Sequence, residues 1–184
     1  KKKNIFQINN ISDKEKIILE KNYFKILLKK LSESKILVIS DHNYGLIKKN
    51  IIKKLINYAK LHSIITYYDA QHVKMTSNTY IPQNTDYFLM NRDEFRQYLD
   101  YFKIKNYNKI NALITLKKKL NTKNIVLKQD KDGCICLTAS NEFLKIKPIK
   151  NKKNIIGAGD KFLAALVVKN NEKNFKKKLI FCNK

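Results

Sequence analysis

The chain has 184 residues and a formal net charge of +24, from 39 Lys and Arg against 15 Asp and Glu. With 43% apolar residues it can form the core of one domain, and 4 Gly, 2 Pro and 3 Cys exclude collagen-like, mucin-like and disulfide-scaffold classes. We find no apolar run near the ~18 residues of a membrane helix and no signal-peptide core at the N-terminus, so we expect a reduced, cytoplasmic protein without a membrane span.

Apolar residues in the first half of the chain alternate between helical spacing and short continuous runs. In chain order, they predict a helix over 12–31 whose Ser12 and Glu15 have capping-box spacing, a strand at 36–39, a helix over 46–62, strands at 64–68 and 87–90, and a helix through Tyr98 and Tyr101. Strands that alternate with helices in this way predict an α/β fold with a mostly parallel sheet flanked by helices.

The second half predicts three further strands, at 125–127, 134–137 and 143–146, with Asp132-Gly133 as a hairpin turn. A last pair of helices is expected to begin near Gly157 and near Glu172. The run Lys117-Lys118-Lys119 is interpreted as a solvated helix end. Because no repeat or linker divides the chain, we treat residues 1–184 as a single domain.

The positive charge comes almost entirely from lysine, since only Arg92 and Arg96 are arginines. Lysine, isoleucine and asparagine, whose codons are AT-rich, dominate the composition, so the charge indicates a genomic bias. A selected nucleic-acid surface concentrates arginine and aromatic residues in one patch. We therefore predict only non-specific binding to nucleic acid. A dedicated nucleic-acid-binding protein remains an alternative that rests on charge alone.

Smaller features of the sequence are interpreted as structural. Cys134 and Cys136 lie two apart on a predicted strand and Cys182 is distant in the chain, which favours buried free thiols. The three histidines have no metal-ligand spacing. The tyrosines are interleaved with apolar residues, which favours a packing role over base stacking.

Polar side chains follow three of the predicted strands. Asp41, Asp69 and Asn91 each stand at a strand end. Ligands of open α/β sheets bind beyond the carboxyl ends of the strands. We therefore predict that these three residues and Gly157 open onto one crevice.

The segment Gly157-Ala158-Gly159-Asp160 precedes an apolar helix. Glycines let the backbone direct N–H groups outward, and a helix N-terminus adds positive potential, so this element is suited to hold an anion. Asp160, in the first turn, has a plain alternative as a carboxylate helix cap.

Together these residues resemble the PfkB, or ribokinase-like, family of carbohydrate kinases. Gly157–Asp160 resembles the end of the family's D-T-x-G-A-G-D hallmark. Four other segments resemble family motifs: Asn91–Glu94 the N-x-x-E motif, Lys128–Gly133 the T-x-G-x-x-G nucleotide loop, and Ser40–Gly45 and Asp69–Gln71 the S-D-Y-x-K-G and D-P-K segments of the heptose-phosphate kinase branch.

The resemblance implies a ribokinase-like fold and transfer of the ATP γ-phosphoryl group to a sugar or sugar-phosphate hydroxyl, in heptose or surface-polysaccharide precursor synthesis. It implies ATP and Mg²⁺ as cofactors and leaves a homodimer open. Site residues follow by motif: Asp160 as catalytic base; Gly157, Ala158 and Gly159 as anion hole; Asn91 and Glu94 at the metal; Asp41 and Asp69 at substrate or phosphate; Lys128, Gly133 and Asn183 at the nucleotide.

Several positions depart from the family pattern. Asn154 and Ile155 replace the first Asp and the Thr of the hallmark, Tyr44 replaces a lysine, and Lys128 and Asp130 replace Thr and Gly of the nucleotide loop. A catalytically inactive kinase-like binding or scaffold domain is therefore the alternative. The resemblance also implies that the chain corresponds to the C-terminal portion of the family domain, without its sugar-binding and lid part and its extreme C-terminus. A fragment, a split gene and a decayed gene all remain open.

Overall fold

The computed structural model describes residues 21–41, 49–71, 75, 79–105, 108–148 and 157–182, with only the backbone of residues 21–23 and of Asp41. The described residues form six helices: α1 Lys21–Ser32, α2 Lys49–Leu61, α3 Arg92–Tyr101, α4 Lys109–Leu120, α5 Ala158–Val168 and α6 Phe175–Cys182. They also form six strands: β1 Ile36–Asp41, β2 Ile65–Ala70, β3 Tyr87–Met90, β4 Asn124–Lys128, β5 Cys134–Leu137 and β6 Phe143–Ile146. The capping box proposed at Ser12 lies outside the described residues.

The strands form one sheet in the order β1-β2-β3-β4-β5-β6. The first four strands are parallel, with Val38 opposite Tyr67 and Tyr87 opposite Asn124. The last two are antiparallel and continue from β4 as two hairpins. The predicted fold class, a mostly parallel sheet flanked by helices, is confirmed.

Alternate residues of each strand belong to two different cores. On one face Tyr68 and Phe88 pack with apolar residues of α2, α3 and α4. On the other face Tyr67 and Leu89 pack with α5 and α6. Because both faces of the central strands are buried, these strands place apolar residues on both faces instead of alternating apolar with polar ones, as in β3 and in the middle of β4. At the edge strand β1, Val38 is 42% exposed on the face that α5 and α6 cover further along the sheet.

Helix α4 is the helix whose end the sequence analysis placed at the lysine run, without giving its start. It begins after Asn108, whose side-chain oxygen accepts a hydrogen bond from the Ile110 amide, and it ends at Asn121 in the left-handed region. The interpretation of the lysine run as solvated is wrong for Lys117. Its side chain is buried, and its Nζ donates to the Thr138 carbonyl at 2.5 Å because the turn between β5 and β6 lies directly over it.

The predicted hairpin between β4 and β5 is confirmed, although its connection is a five-residue loop with a 3-10 turn at Asp130–Asp132. Gly133 ends this loop at φ +85°, and a Cβ there would lie 2.0 Å from the Ile146 carbonyl oxygen. The last helix begins at Phe175, slightly later than the predicted Glu172, after Asn174 accepts a hydrogen bond from the Lys177 amide.

All three cysteines are buried and free, as predicted. Cys182, distant in sequence, joins Cys134 and Cys136 in the core beneath α5 and α6. Burial raises the pKa of the Cys134 thiol to about 12 and that of Cys182 to about 11. These thiols are therefore packing residues. Within the described ranges, no helix is long and apolar enough to cross a membrane.

Candidate active site

An ion pair joins two strands at the carboxyl end of the parallel sheet. Lys128 Nζ, at the end of β4, lies 2.6 Å from Asp69 Oδ1, near the end of β2. Asp69 is wholly buried, and its Oδ2 has no hydrogen-bond partner among the described residues. Burial raises the pKa of Asp69, and the nearby Lys128 opposes that rise.

The N-terminus of α5 opens beside this pair. Gly157 precedes the helix at φ +80°, and its carbonyl accepts the first helical hydrogen bond, from the Lys161 amide. Among the described residues no side chain caps the helix, so the first-turn N–H groups carry its positive end. A Cβ on Gly159 would lie 3.6 Å from Lys128 Nζ, which places the lysine against this turn.

Asp160 lies in the first turn of α5 and is exposed. Its Oδ1 accepts a long hydrogen bond, 3.4 Å, from Gln71 Nε2, which also lies 3.4 Å from Ser40 Oγ. Gln71 thus connects the ends of β1 and β2 to α5. No side-chain hydrogen bond caps α5 among the residues that the structure describes, but a first-turn carboxylate also stabilises the positive end of a helix through its charge, so the alternative role of Asp160 at the helix end stays open beside the catalytic one.

Asn91 and Glu94 form a capping box at the start of α3. Asn91 Oδ1 accepts from the Asp93 and Glu94 amides at 2.9 Å, and Glu94 Oε2 accepts from the Asn91 amide at 2.6 Å. Glu94 is 4% exposed. Burial raises its pKa to about 7, with Asp69 adding to the rise and Lys128 opposing it. Glu94 therefore interacts electrostatically with the ion pair.

The structure brings five of the predicted site residues into one neighbourhood at the carboxyl end of the sheet: Asp69, Glu94, Lys128, Gly159 and Asp160. Gly133 lies in the adjacent hairpin, which an Arg92–Asp132 ion pair connects to α3. The backbone of Asp41 pairs with Ala70 at the same end. The side chain of Asp41, and Asn183, lie outside the described residues, as do Tyr44, Asn154 and Ile155. Among the described residues no group of three or more His, Cys, Asp or Glu is placed to hold a metal ion.

Two polar features escaped the sequence interpretation. Gln71 was noticed only within a motif, and its link to Asp160 depends on a contact between residues 89 positions apart. Lys178 of α6 is 1% exposed, and its Nζ donates to the hydroxyl oxygens of Tyr67 and Tyr87. No signal in the sequence separates Lys178 from its neighbours in the run of lysines.

A family model described as pfkB family carbohydrate kinase matches residues 6–179. The chain belongs to this family. No curated protein sequence matches the chain significantly.

Solved structures with the family's fold resemble the chain. A ribokinase from Thermotoga maritima superposes with a TM-score of 0.69 at 23% identity, covering 85% of this chain and 50% of that one. An adenosine kinase from Trypanosoma brucei brucei gives 0.75 at 12% identity, with 90% and 55% covered. Phosphofructokinase-2 from Escherichia coli, in complex with fructose-6-phosphate, gives 0.68 at 17% identity, with 89% and 54% covered. The chain therefore spans about half the length of these proteins.

Proposed function

We propose that the chain carries the phosphoryl-transfer site of an ATP-dependent kinase that phosphorylates a hydroxyl group of a sugar or sugar phosphate. The observation that carries the proposal is the N-terminus of α5, which no described side chain caps, with Asp160 in its first turn and the Asp69–Lys128 pair beside it, in a pfkB-family chain. Phosphoryl transfer requires little beyond position and charge, and this end of the sheet offers both.

Asp160 is the proposed general base. Its carboxylate is exposed and, within the part of the chain that the structure describes, is held by the long contact to Gln71 alone, so its oxygens are accessible to an acceptor hydroxyl. The carboxylate accepts the hydroxyl proton as the oxygen attacks the γ-phosphorus, and the bond from that phosphorus to the bridging oxygen of ADP breaks. ADP leaves with the electron pair of that bond.

The N–H groups of Gly157, Ala158 and Gly159 are the proposed anion hole. They lie at the positive end of α5, where negative charge grows on the transferring group. Loss of one such donor typically lowers the rate by a factor of about 10² to 10³.

The acidic groups near the site fit a hydrated Mg²⁺ better than a directly bound one. Asn91 Oδ1 and Glu94 Oε2 are already occupied by the capping box, whereas the buried Asp69 Oδ2 is unpartnered. Mg²⁺ keeps several waters and uses only one or two carboxylates. Glu94 and Asp69 would hold such an ion through its waters, and the ion would neutralise phosphate oxygens.

The acceptor class is the least constrained part of the proposal. The resemblance of Ser40–Gly45 and Asp69–Gln71 to the heptose-phosphate kinase branch favours a heptose phosphate. The nucleotide site is proposed at Lys128, Gly133 and Asn183, and the side chain of Asp41 is proposed at the acceptor.

The test measures MgATP binding by calorimetry and, in a complete kinase that carries this segment, phosphoryl transfer from labelled ATP to a panel of sugars and sugar phosphates, heptose phosphates included. For Asp160→Asn we expect transfer to fall by roughly 10² to 10⁴, because the proton acceptor is lost, and MgATP affinity to change little. Asp100→Asn, which removes an exposed carboxylate at the far end of α3, is the matched control and should leave both quantities unchanged.

The replacements at Tyr44, Asn154 and Ile155 favour one competing function, an inactive kinase-like binding domain. That function predicts MgATP binding without transfer to any acceptor and no effect of Asp160→Asn. Failure to bind MgATP would contradict the kinase proposal itself.

A further inference from the structure

Lys128 occupies an electrostatically unfavourable position. A cation is stabilised at the C-terminus of a helix and destabilised at the N-terminus. Lys128 Nζ nevertheless lies against the first turn of α5, 3.6 Å from where a Cβ on Gly159 would be. Its side chain is only 14% exposed, so solvent screens this repulsion poorly. The positive charge of Lys128 and the positive end of α5 therefore both lie at the first turn of this helix.

Asp69 compensates only part of that potential. Its Oδ1 is the one acceptor of Lys128 Nζ among the described residues, at 2.6 Å. An ammonium group has three donors, so two N–H groups of Lys128 remain for another acceptor. The wholly buried Asp69 fixes the lysine in place, because burial allows its carboxylate little freedom.

An anion with several terminal oxygens matches this arrangement. It would accept from the free N–H groups of Lys128 and from the α5 amides together, and its charge would relieve the repulsion between the lysine and the helix end. A phosphoryl group has this chemistry. Asp160, the proposed general base, lies in the same turn of α5.

We propose that Lys128 binds the transferred γ-phosphoryl group directly and that Asp69 is its positioning residue. This inference rests on the proposed function and refines it, because it assigns Lys128 to the phosphoryl group that moves, where the proposed function places the lysine only at the nucleotide. The ammonium group of Lys128 stays bound to the phosphoryl oxygens before, during and after the transfer. Asp69 holds that ammonium group beside the first turn of α5.

Calorimetry with MgATP and MgADP tests the assignment on the full chain. In Lys128→Met we expect MgATP affinity to fall roughly 10- to 100-fold, the effect of losing a charge-assisted hydrogen bond, and MgADP affinity to change by less than about threefold. Lys128→Arg should recover part of the MgATP affinity because it restores the charge. A purely structural lysine would alter both nucleotides equally.

Lys161→Met is the matched control. Lys161 is exposed in the first turn of α5, and its removal changes the net charge by the same amount. It should change MgATP affinity by less than about threefold. The single variant Lys128→Met leaves the buried Asp69 carboxylate unpaired and could therefore fold poorly. The double variant Asp69→Asn with Lys128→Met removes both charges of the pair, so the binding measurement can be made on it instead. Its MgATP affinity should fall further than its MgADP affinity, although the loss of the Asp69 charge weakens the magnesium contact of both nucleotides.

The possible results separate the two proposals. Wild-type chain that binds neither nucleotide would overturn the kinase function and this inference with it. Suppose instead that the wild-type chain binds both nucleotides. The role of Lys128 alone would then be overturned if Lys128→Met left MgATP affinity unchanged, or if it lowered MgATP and MgADP affinity equally. A loss in Lys161→Met as large as that in Lys128→Met would also overturn it, because charge in general would then explain the effect.

Discussion

At the scale of single residues, two glycines with positive φ differ in how much space surrounds the position that a Cβ would occupy. Gly133 faces the Ile146 carbonyl so closely that any Cβ must displace backbone, whereas Gly157 has nothing within 4 Å of the same position. We expect Gly157→Ala to cost roughly 1–2 kcal/mol from backbone strain alone. Gly133→Ala should cost more than about 3 kcal/mol, because strain and clash add. Urea denaturation of both variants measures the difference in the free energy of unfolding. Equal losses of stability would show that the hairpin backbone moves to make room for the added Cβ.

Glu94 is expected to make stability depend on pH. Its pKa rises from 4.5 to about 7 on folding, so the folded state binds more protons than the unfolded state between these values. The free energy of unfolding therefore falls as pH rises from about 4.5 to 7, by at most about 3 kcal/mol. Glu94→Gln keeps a capping-box side chain but cannot ionise, so its stability should be flatter across this range.

Denaturation at a series of pH values checks this expectation. Asp93→Asn, which removes an exposed carboxylate from the same helical turn, is the control and should leave the slope of the wild-type profile in place. A Glu94→Gln profile as steep as that of the wild type would assign the pH dependence to other groups.

At the scale of elements, α4 is connected to the β5–β6 hairpin through one lysine. Lys117 Nζ donates to the Thr138 carbonyl and to Asn141 Oδ1, and it is 9% exposed. Lys117→Met leaves those acceptors without their donor, which should cost about 1–3 kcal/mol. Lys118→Met, one residue further and exposed, should stay within about 0.5 kcal/mol of the wild type. Thermal denaturation distinguishes them, and equal stabilities would mean that water replaces the lysine.

Elements with strong local signals were predictable from the sequence, and contacts between elements were not. Local sequence was sufficient for β3 and β5, which are short apolar runs. It was also sufficient for the β4–β5 turn, which a glycine marks. Helix α4 has an Asn108 cap and apolar residues at helical spacing. Its three consecutive lysines were nevertheless all predicted to be exposed to solvent. Which lysine is buried depends on the hairpin that packs over it.

The candidate site divides in the same way. Its members at strand ends and at the start of α5 were predicted because ligand sites of parallel sheets have a known place. The pairing of Lys128 with Asp69 was not, since it joins residues 59 positions apart through the register of three strands. The capping box of Asn91 and Glu94 was also missed, although its spacing is a local signal.

At the scale of the whole molecule, the net charge of +24 implies self-repulsion in the folded state. Salt screens repulsion between exposed charges, so stability should rise with NaCl between about 0.01 and 0.15 M, as the screening length shortens from about 30 to 8 Å. We expect a gain of about 1 kcal/mol, or roughly 2–4 °C in melting temperature for a chain of this size. A decrease with salt would show instead that ion pairs such as Lys123–Asp86 dominate.

The mixed sheet has a consequence for the order in which the chain folds. The strands β4, β5 and β6 meet their partners across short loops, whereas the parallel pairs must close longer connections, which pass through α2 between β1 and β2 and through α3 and α4 between β3 and β4. Loop closure costs less entropy for near neighbours, so the antiparallel half is expected to form early and to serve as the template for the parallel half. Lys128 stands on the early half and Asp69 on the late one. The ion pair therefore forms only when the two halves have joined, and the candidate site is completed among the last steps of folding.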